Sequence, residues 1–201
     1  AQHRAKQADR NIQSPQSEWL IKPKYYIGAG GGTSFVDTGV SGLSGTASLS
    51  EQDIGLKGFI GVQFNKYFAV EGFYSDLGYA QLDGGNGDLV TINGRTYQFT
   101  ADNVAVKIEA KTVGLGGVGI LPIHKFFSAF VKFGVHWWDI KASATSSLGN
   151  ASITDNNWNV FYGAGIDFNV HKNFAIRTEF ECLEFADQLV YFTSSNLVIK
   201  F

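Results

Sequence analysis

The sequence predicts an all-β fold, an eight-stranded antiparallel up-and-down transmembrane β-barrel, and three observations predict it. The stretches Phe64-Asn65-Lys66-Tyr67-Phe68-Ala69, Ile123-His124-Lys125-Phe126-Phe127-Ser128 and Val170-His171-Lys172-Asn173-Phe174-Ala175 repeat one pattern. Each sets a polar pair containing Lys between apolar or aromatic residues, and each interrupts an alternating run that resumes at once, as a tight hairpin turn does. The segments joining these turns have long Gly/Ser/Asn/Asp-rich middles, so short and long connections take turns along the chain. Alternation itself is the third observation: successive residues fall on an apolar, aromatic-flanked face and on a face of charge and glycine.

Composition bounds the alternatives. Charged residues are 17 % and hydrophobic ones 44 % of the 201 residues, ordinary values that conceal a barrel from a hydropathy scan. No apolar run reaches the roughly 20 residues of a transmembrane helix, which excludes helical spans and leaves barrels open. A net charge of -2 argues against nucleic acid as a partner. Cys182 is the single cysteine, so no internal disulfide is possible. The absence of Met is read as a processed or trimmed chain, and no signal peptide is visible.

Residues 1–20 are polar, Gln/Arg-rich and without periodicity, and are read as a flexible tail; residues 21–201 form the barrel. The first strand runs from Tyr25 to Val36, the second from Asp53 to Phe64, the third from Tyr67 to Ala80 and the fourth from Val104 to Leu121. The fifth takes Phe127 to Lys141, the sixth Trp158 to Val170, the seventh Phe174 to Leu183 and the eighth Tyr191 to Phe201. An even strand count puts both termini at the end of the short turns, the periplasmic end of an outer-membrane barrel. The long connections near 37–52, 81–103, 142–157 and 184–190 then face outside.

Parity assigns the faces. Strand two reads Ile54, Leu56, Gly58, Ile60, Val62, Phe64 on one side and Asp53, Gly55, Lys57, Phe59, Gly61, Gln63 on the other, and strands three, five and seven divide likewise. The expected lumen set is an ion-pair network of Lys57, Glu71, Lys107, Glu109, Lys111, Lys132, Asp167, Arg177, Glu179, Glu181 and Lys200. Gly28, Gly30, Gly32, Gly55, Gly61, Gly117, Gly119, Gly134, Gly163 and Gly165 fall on that face and make room for long paired side chains. A soluble lipocalin-like barrel would invert the faces. Aromatics at both ends of the apolar faces favour lipid: Tyr25, Phe64, Phe68, Phe127, Phe168, Phe174 and Phe201 at the turn end, and Phe35, Tyr74, Trp137 and Tyr191 at the loop end.

On these residues the chain resembles the small eight-stranded outer-membrane proteins of the OmpA-like β-barrel family. The likeness is carried by Tyr25-Tyr26-Ile27-Gly28-Ala29-Gly30-Gly31-Gly32, by Phe68-Ala69-Val70-Glu71-Gly72-Phe73-Tyr74 and by Lys132-Phe133-Gly134-Val135-His136-Trp137-Trp138-Asp139. Leu197-Val198-Ile199-Lys200-Phe201 looks like the family's assembly signal, with Phe201 as its outward aromatic. The resemblance implies a Gram-negative outer-membrane location, lipopolysaccharide as surrounding lipid, the barrel-assembly machinery as a partner in folding, and a monomer. The family's periplasmic peptidoglycan-binding function is not carried over.

Other motifs weigh little. Gly114-Leu115-Gly116-Gly117-Val118-Gly119 fits a dinucleotide fingerprint, but Ile120-Leu121-Pro122 and a turn follow where a helix should, so no cofactor is expected. His136 with Ser128 or Ser75 and Glu71 would make a hydrolase triad; a hydrogen-bonded lumen histidine is the simpler reading. His124 and His171 sit in turns, and scattered histidines make no metal site. Asp83 to Asp88 lacks calcium-loop spacing. Cys182 is expected to face lipid as an inert hydrophobe. Arg4, Lys6 and Arg10 could touch anionic lipid or cell-wall polymer.

Asn93-Gly94 between β-formers marks a hairpin standing on the second long loop, whose Asn93, Gly94, Arg95, Tyr97 and Phe99 are candidates for binding a host or surface protein by strand addition. The expected role is a structural or surface-interaction platform with a closed lumen and no enzymatic activity. A narrow ion channel and a lipid-modifying enzyme are the alternatives.

Overall fold

The computed structural model describes residues 23–36, 40–50, 52–92, 94–185 and 188–201. The N-terminal tail with Arg4, Lys6 and Arg10, and Asn93, lie outside the described residues. The strands are β1 (Lys24–Val36), β2 (Val40–Leu43), β3 (Ser48–Ser50), β4 (Gln52–Asn65), β5 (Phe68–Gly84), β6 (Leu89–Ile92), β7 (Arg95–Gln98), β8 (Val104–His124), β9 (Phe127–Ser146), β10 (Gly149–His171), β11 (Phe174–Phe185) and β12 (Gln188–Lys200). Eight of them close a ring in the order β1-β4-β5-β8-β9-β10-β11-β12, antiparallel throughout, with β12 returning to β1. The three Lys-containing turns join β4 to β5, β8 to β9 and β10 to β11.

Large residues face small ones across the strands. Tyr26 lies opposite Gly61 and Gly28 opposite Phe59. A Cβ on Gly61 would come within 2.1 Å of the Tyr26 ring, and one on Gly28 within 2.2 Å of the Phe59 ring, so glycine here supplies volume for the neighbour's ring. The charged face is inside: Lys57, Glu71, Lys132, Arg177, Glu179 and Glu181 are buried, while Ile60 and Phe133 on the other face are each 64 % exposed. A continuous exposed apolar wall around buried charge is the inverse of a soluble barrel and fits a hydrocarbon surround. Exposed Tyr25, Phe64, Phe68, Phe168, Phe174 and Phe201 ring its turn end; Phe35, Tyr74 and Trp158 stand toward its loop end.

Strand β8 departs from the expected parity. Its inner face is Ala110, Thr112 and Val118, with Gly114 and Gly116 packing against lumen rings, and Lys107, Glu109 and Lys111 project outward. Gly117 and Gly119 also face outward, where an added Cβ would meet Phe68 and Val131. The physical reason is height. These charges stand above Tyr74 and Trp137, where the outer wall leaves hydrocarbon and tolerates ions, so charge no longer marks the lumen side. The register with β5 also slips between Asp76 and Tyr79, at a bulge where Gly78 takes φ +75. A side chain at Gly78 would be strained in the left-handed region and would also meet Asp53.

Two expected loops are largely strand. Residues 142–157 continue β9 and β10 in unbroken register to Ser146 opposite Gly149, and residues 184–190 reduce to a short link between β11 and β12. Both faces are wet above the membrane, so no apolar period betrays these extensions. In the first long connection β2 pairs with β6 and β3 with β5, so β2, β6 and β7 form a small outer sheet. Asp88 clips it together: its Oδ2 accepts from the Gly85 amide at 2.9 Å, the Thr46 hydroxyl at 2.8 Å and the Thr46 amide at 3.2 Å. These bonds, the Gly85 amide foremost, hold the Asp88 carboxyl below its ordinary value. A lowered pKa gives stability that is present above the unfolded value, about 3.9, and lost as pH falls through the folded one. Protection of the amides of residues 44–47 against exchange, relative to an unfolded chain at the same pH, should therefore fall on acidification below about pH 4, and Asp88→Asn should show the lower protection already at pH 7; equal protection in the two proteins would contradict the clip.

Candidate functional site

The lumen network draws side chains from seven strands, β1, β4, β5, β9, β10, β11 and β12. Glu71 of β5 accepts from Tyr26 Oη at 2.9 Å, Lys132 Nζ at 2.5 Å and Arg177 Nη1 at 2.6 Å. Arg177 of β11 also grips Asp167 of β10 through Nε at 2.7 Å and Nη2 at 3.1 Å, a bidentate arrangement its planar fork favours. Lys132 of β9 reaches Glu179 at 2.5 Å and Glu181 at 3.6 Å. Lys57 of β4 pairs with Glu179 at 2.8 Å and with Glu181. Lys200 Nζ lies 3.9 Å from Asp167 at the lower edge, so the set comprises the four cations Lys57, Lys132, Arg177 and Lys200 against the four carboxylates Glu71, Asp167, Glu179 and Glu181. Rings fill the space between ions: Arg177 Cζ lies 4.5 Å from the Phe130 centroid and 4.9 Å from that of Phe59.

An apolar layer lies above the ions. Leu77, Trp138, Leu183, Phe185, Val190 and Phe192 are buried there, with the Phe73 and Phe161 rings 4.9 Å apart in edge-to-face contact. His136 is wholly buried beside Phe161 and Phe185, its Nδ1 2.7 Å from Thr112 Oγ1. Glu71 is committed to its cations, and Thr112 rather than Ser75 or Ser128 bonds His136, so the triad of those residues is not formed. Gly114 to Gly119 lie inside strand β8, with no helix start to hold a pyrophosphate. Among the described residues no cluster of metal-ligating side chains occurs. Cys182 is covered rather than lipid-exposed, lying between Tyr162 and Tyr191 on the neighbouring strands.

Of the eleven charges expected in the lumen, Lys107, Glu109 and Lys111 sit on the outer wall at the loop end. Lys107 pairs with Glu109 at 2.8 Å and Lys111 with Asp76 at 3.4 Å. Arg95 and Tyr97 are exposed on β7, and Gly94 takes the positive φ (+76) of its turn. Phe99 instead folds back against Gly84, its amide donating to Asp88 O at 2.9 Å. Phe201 is exposed at the turn end, its amide donating to Tyr25 O at 2.9 Å.

One feature escaped the sequence reading. β10 pairs with β9 from Phe168 up to Gly149, but with β11 only up to Phe161, so among the described residues the edge of β10 from Gly149 to Val160 has no partner strand on that side. Its exposed side chains include Ile153 and Trp158, and Leu148 stands at the tip. The long alternation of Ser, Thr, Asn and Asp in this stretch was its only signal.

Removing one lumen partner should be far more damaging than removing an outer one. Lys132→Met leaves Glu71 and Glu179 short of a counter-charge and should lower stability by about 3–5 kcal/mol, whereas Lys107→Met, on the exposed outer wall, should leave the unfolding midpoint nearly unchanged. Urea unfolding in lipid vesicles, followed by heat-modifiable gel mobility, measures both, and equal midpoints would contradict the network's role.

The closed ring, ion-filled lumen and apolar outer wall agree with known folds. The crystal structure of Ail, the attachment invasion locus protein of Yersinia pestis, in complex with the heparin analogue sucrose octasulfate aligns with TM-score 0.58 at 20% identity, covering 90% of this chain and 100% of that one. OprG from Pseudomonas aeruginosa aligns with TM-score 0.58 at 13% identity, covering 89% and 95%, and the N-terminal β-barrel domain of Pseudomonas aeruginosa OprF with TM-score 0.54 at 10% identity, covering 89% and 97%. No curated protein sequence matches the chain. The OmpA-like transmembrane domain matches residues 22–191, and the chain belongs to that family of Gram-negative outer-membrane β-barrels.

Proposed function

We propose that this protein is a sealed platform that presents a free β-edge to an extended segment of another protein outside the cell, with its short turns and termini on the periplasmic side. The observation that carries the reading is the unpaired edge of β10 from Gly149 to Val160, held upright by continuous pairing to β9 and, through β9, to β8. Such an edge offers carbonyls and amides to an incoming strand, which displaces the Asp155 and Asn157 side chains that accept from the Asn156 and Trp158 amides at 2.9 and 2.8 Å, with Ile153 and Trp158 as side-chain anchors. Arg95 and Tyr97 on β7, the exposed edge of the small outer sheet, offer a second edge nearby.

Electrostatics narrows the partner. The described residues at the loop end include Asp53, Asp76, Asp83, Asp88, Asp102, Glu109, Asp139, Asp155 and Glu184 against Arg95, Lys107, Lys111 and Lys141. Ail is seen with a sulfated heparin analogue, but an acid-rich end would repel such a polyanion, which favours a protein strand here. The channel reading has less support, because the ionic set and the aromatic layer together fill the lumen. The enzyme reading has less still, because His136 points inward, away from lipid.

Two measurements test the platform. In planar bilayers the purified protein should show at most rare, small openings; stable large conductance would overturn the sealed lumen. A phage-displayed random nonapeptide library panned on the folded protein should yield alternating, β-forming sequences whose binding is lost in one of the two variants Asn156→Pro and Asn157→Pro, since only one of two successive amides points to the free side. Selected peptides that bind both variants as well as the parent would rule out edge pairing.

A further inference from the structure

The opposite end of the barrel carries a vestibule with different chemistry. It is a cavity of about 520 Å³ at the mouth of the lumen, lined among others by Lys24, Lys125, His171, Lys172 and Lys200. Alternation explains why they converge. Lys24 continues the inward row of Tyr26 and Lys200 that of Val198, so two strands aim basic side chains into one opening, and His171 joins its wall beyond a register shift after Asn169. Lys125 and Lys172 join from two of the Lys-containing turns. Deeper in the lumen, outside this lining, Asp167 is already held by Arg177 at 2.7 Å.

The charges here are not balanced. The lining contains no Asp or Glu side chain. Elsewhere Lys57, Lys107, Lys111 and Lys132 each pair with a carboxylate, whereas among the described residues Lys24, Lys125 and Lys172 have no carboxylate in ion-pair range. Lys200 is shared between Asn169 Oδ1 at 2.7 Å and Asp167 at 3.9 Å. The neighbouring amides are spent on the wall: Gln63 donates to Asn65 O and Asn173 to Lys200 O. Residues 1–22 offer no remedy, since their sequence holds Arg4, Lys6, Arg10 and Lys22 against Asp9 and Glu18.

The geometry points to a binding site for a small soluble anion that carries two or more phosphate or carboxylate groups. Several ammonium groups on separate strands around one mouth match several oxyanions better than one, because a single carboxylate spans only one or two of them. Lysine supplies point charges on flexible stems, so the site selects charge and spacing rather than planar shape. The vestibule lies at the rim of the turn end, its wall including the exposed Phe126, Val170 and Phe201 beside the lysines; a lipid headgroup offers the same anionic chemistry, and the nanodisc measurement below separates it from a soluble anion. This site is separate from the edge of β10, and binding in detergent is blind to which side of the membrane it meets.

Isothermal titration of the full chain in a zwitterionic detergent, with sodium tripolyphosphate and with a capped tetraglutamate peptide, tests the inference. At least one probe should bind saturably with one-to-one stoichiometry and weaken as salt rises. The triple variant Lys24→Gln, Lys125→Gln, Lys172→Gln should lose at least tenfold in affinity, while Lys107→Gln, Lys111→Gln, Lys141→Gln at the other end should not. Heat-modifiable mobility verifies that both variants fold. Binding of tripolyphosphate alone assigns a phosphate ligand, and binding of the peptide alone an acidic peptide. Absence of saturable binding by either probe, or undiminished binding in the first variant, overturns the site. So does protein that binds neither probe but associates with phosphatidylglycerol over phosphatidylcholine in nanodiscs through these lysines, which would make them headgroup contacts.

Discussion

The interior of an eight-stranded ring is too narrow to hydrate a charge, so every ion within it needs a counter-ion at contact distance. Glu71, the point where Lys132, Arg177 and Tyr26 meet, is the clearest consequence. Because the partners come from β4, β5, β9, β10 and β11, the network forms only when those strands are in their proper register. A slip of one residue in β11 would turn Glu179 and Glu181 toward lipid and Phe180 toward the lumen. Buried ion pairs add little net stability over apolar packing, but as a check on register they separate one ring from its near neighbours. The inner glycines belong to the same constraint, since Tyr26 and Phe59 occupy the volumes that Gly61 and Gly28 leave.

How much of this was legible depended on the solvent at each height. Within the membrane one face meets hydrocarbon and the other the packed lumen, so alternation is strong, and the faces of β4, β5, β9 and β11 follow from it. Above the membrane both faces meet water, and alternation loses its meaning. Lys107, Glu109 and Lys111 belong to that region, which is why charge suggested the lumen for residues that stand outside. The extensions of β9 and β10 were hidden for the same reason. The Asn93-Gly94 hairpin, by contrast, was readable from turn chemistry, which operates in any solvent. The bulge at Gly78 left only a lone glycine as its mark, and that is too common in this chain to be informative.

The two ends of the ring are built to opposite electrostatic plans, which the overall charge of -2 conceals. Acids predominate among the described residues beyond the loop-end aromatics, and lysines without carboxylate partners gather at the turn end. In between, four cations face four carboxylates, so the ion set links the two ends through no uncompensated charge. Specificity at each end can therefore change without disturbing the other, provided the lumen pairing is kept.

A free β-edge is normally a hazard, because identical edges pair with one another. Here the membrane limits that route. Copies in the same bilayer stand upright in the same sense, so two β10 edges that met would run parallel, the less stable pairing. The edge is also largely polar, with Ser152, Thr154, Asp155, Asn156 and Asn157 around the single apolar Ile153, which weakens pairing that no anchor side chain supports. An incoming segment of a soluble partner suffers neither restriction: it can approach antiparallel and place apolar side chains against Ile153 or Trp158. On the platform reading proposed above, the upright orientation shared by all copies in one bilayer is what leaves the edge accessible to other proteins while making it a poor partner for itself.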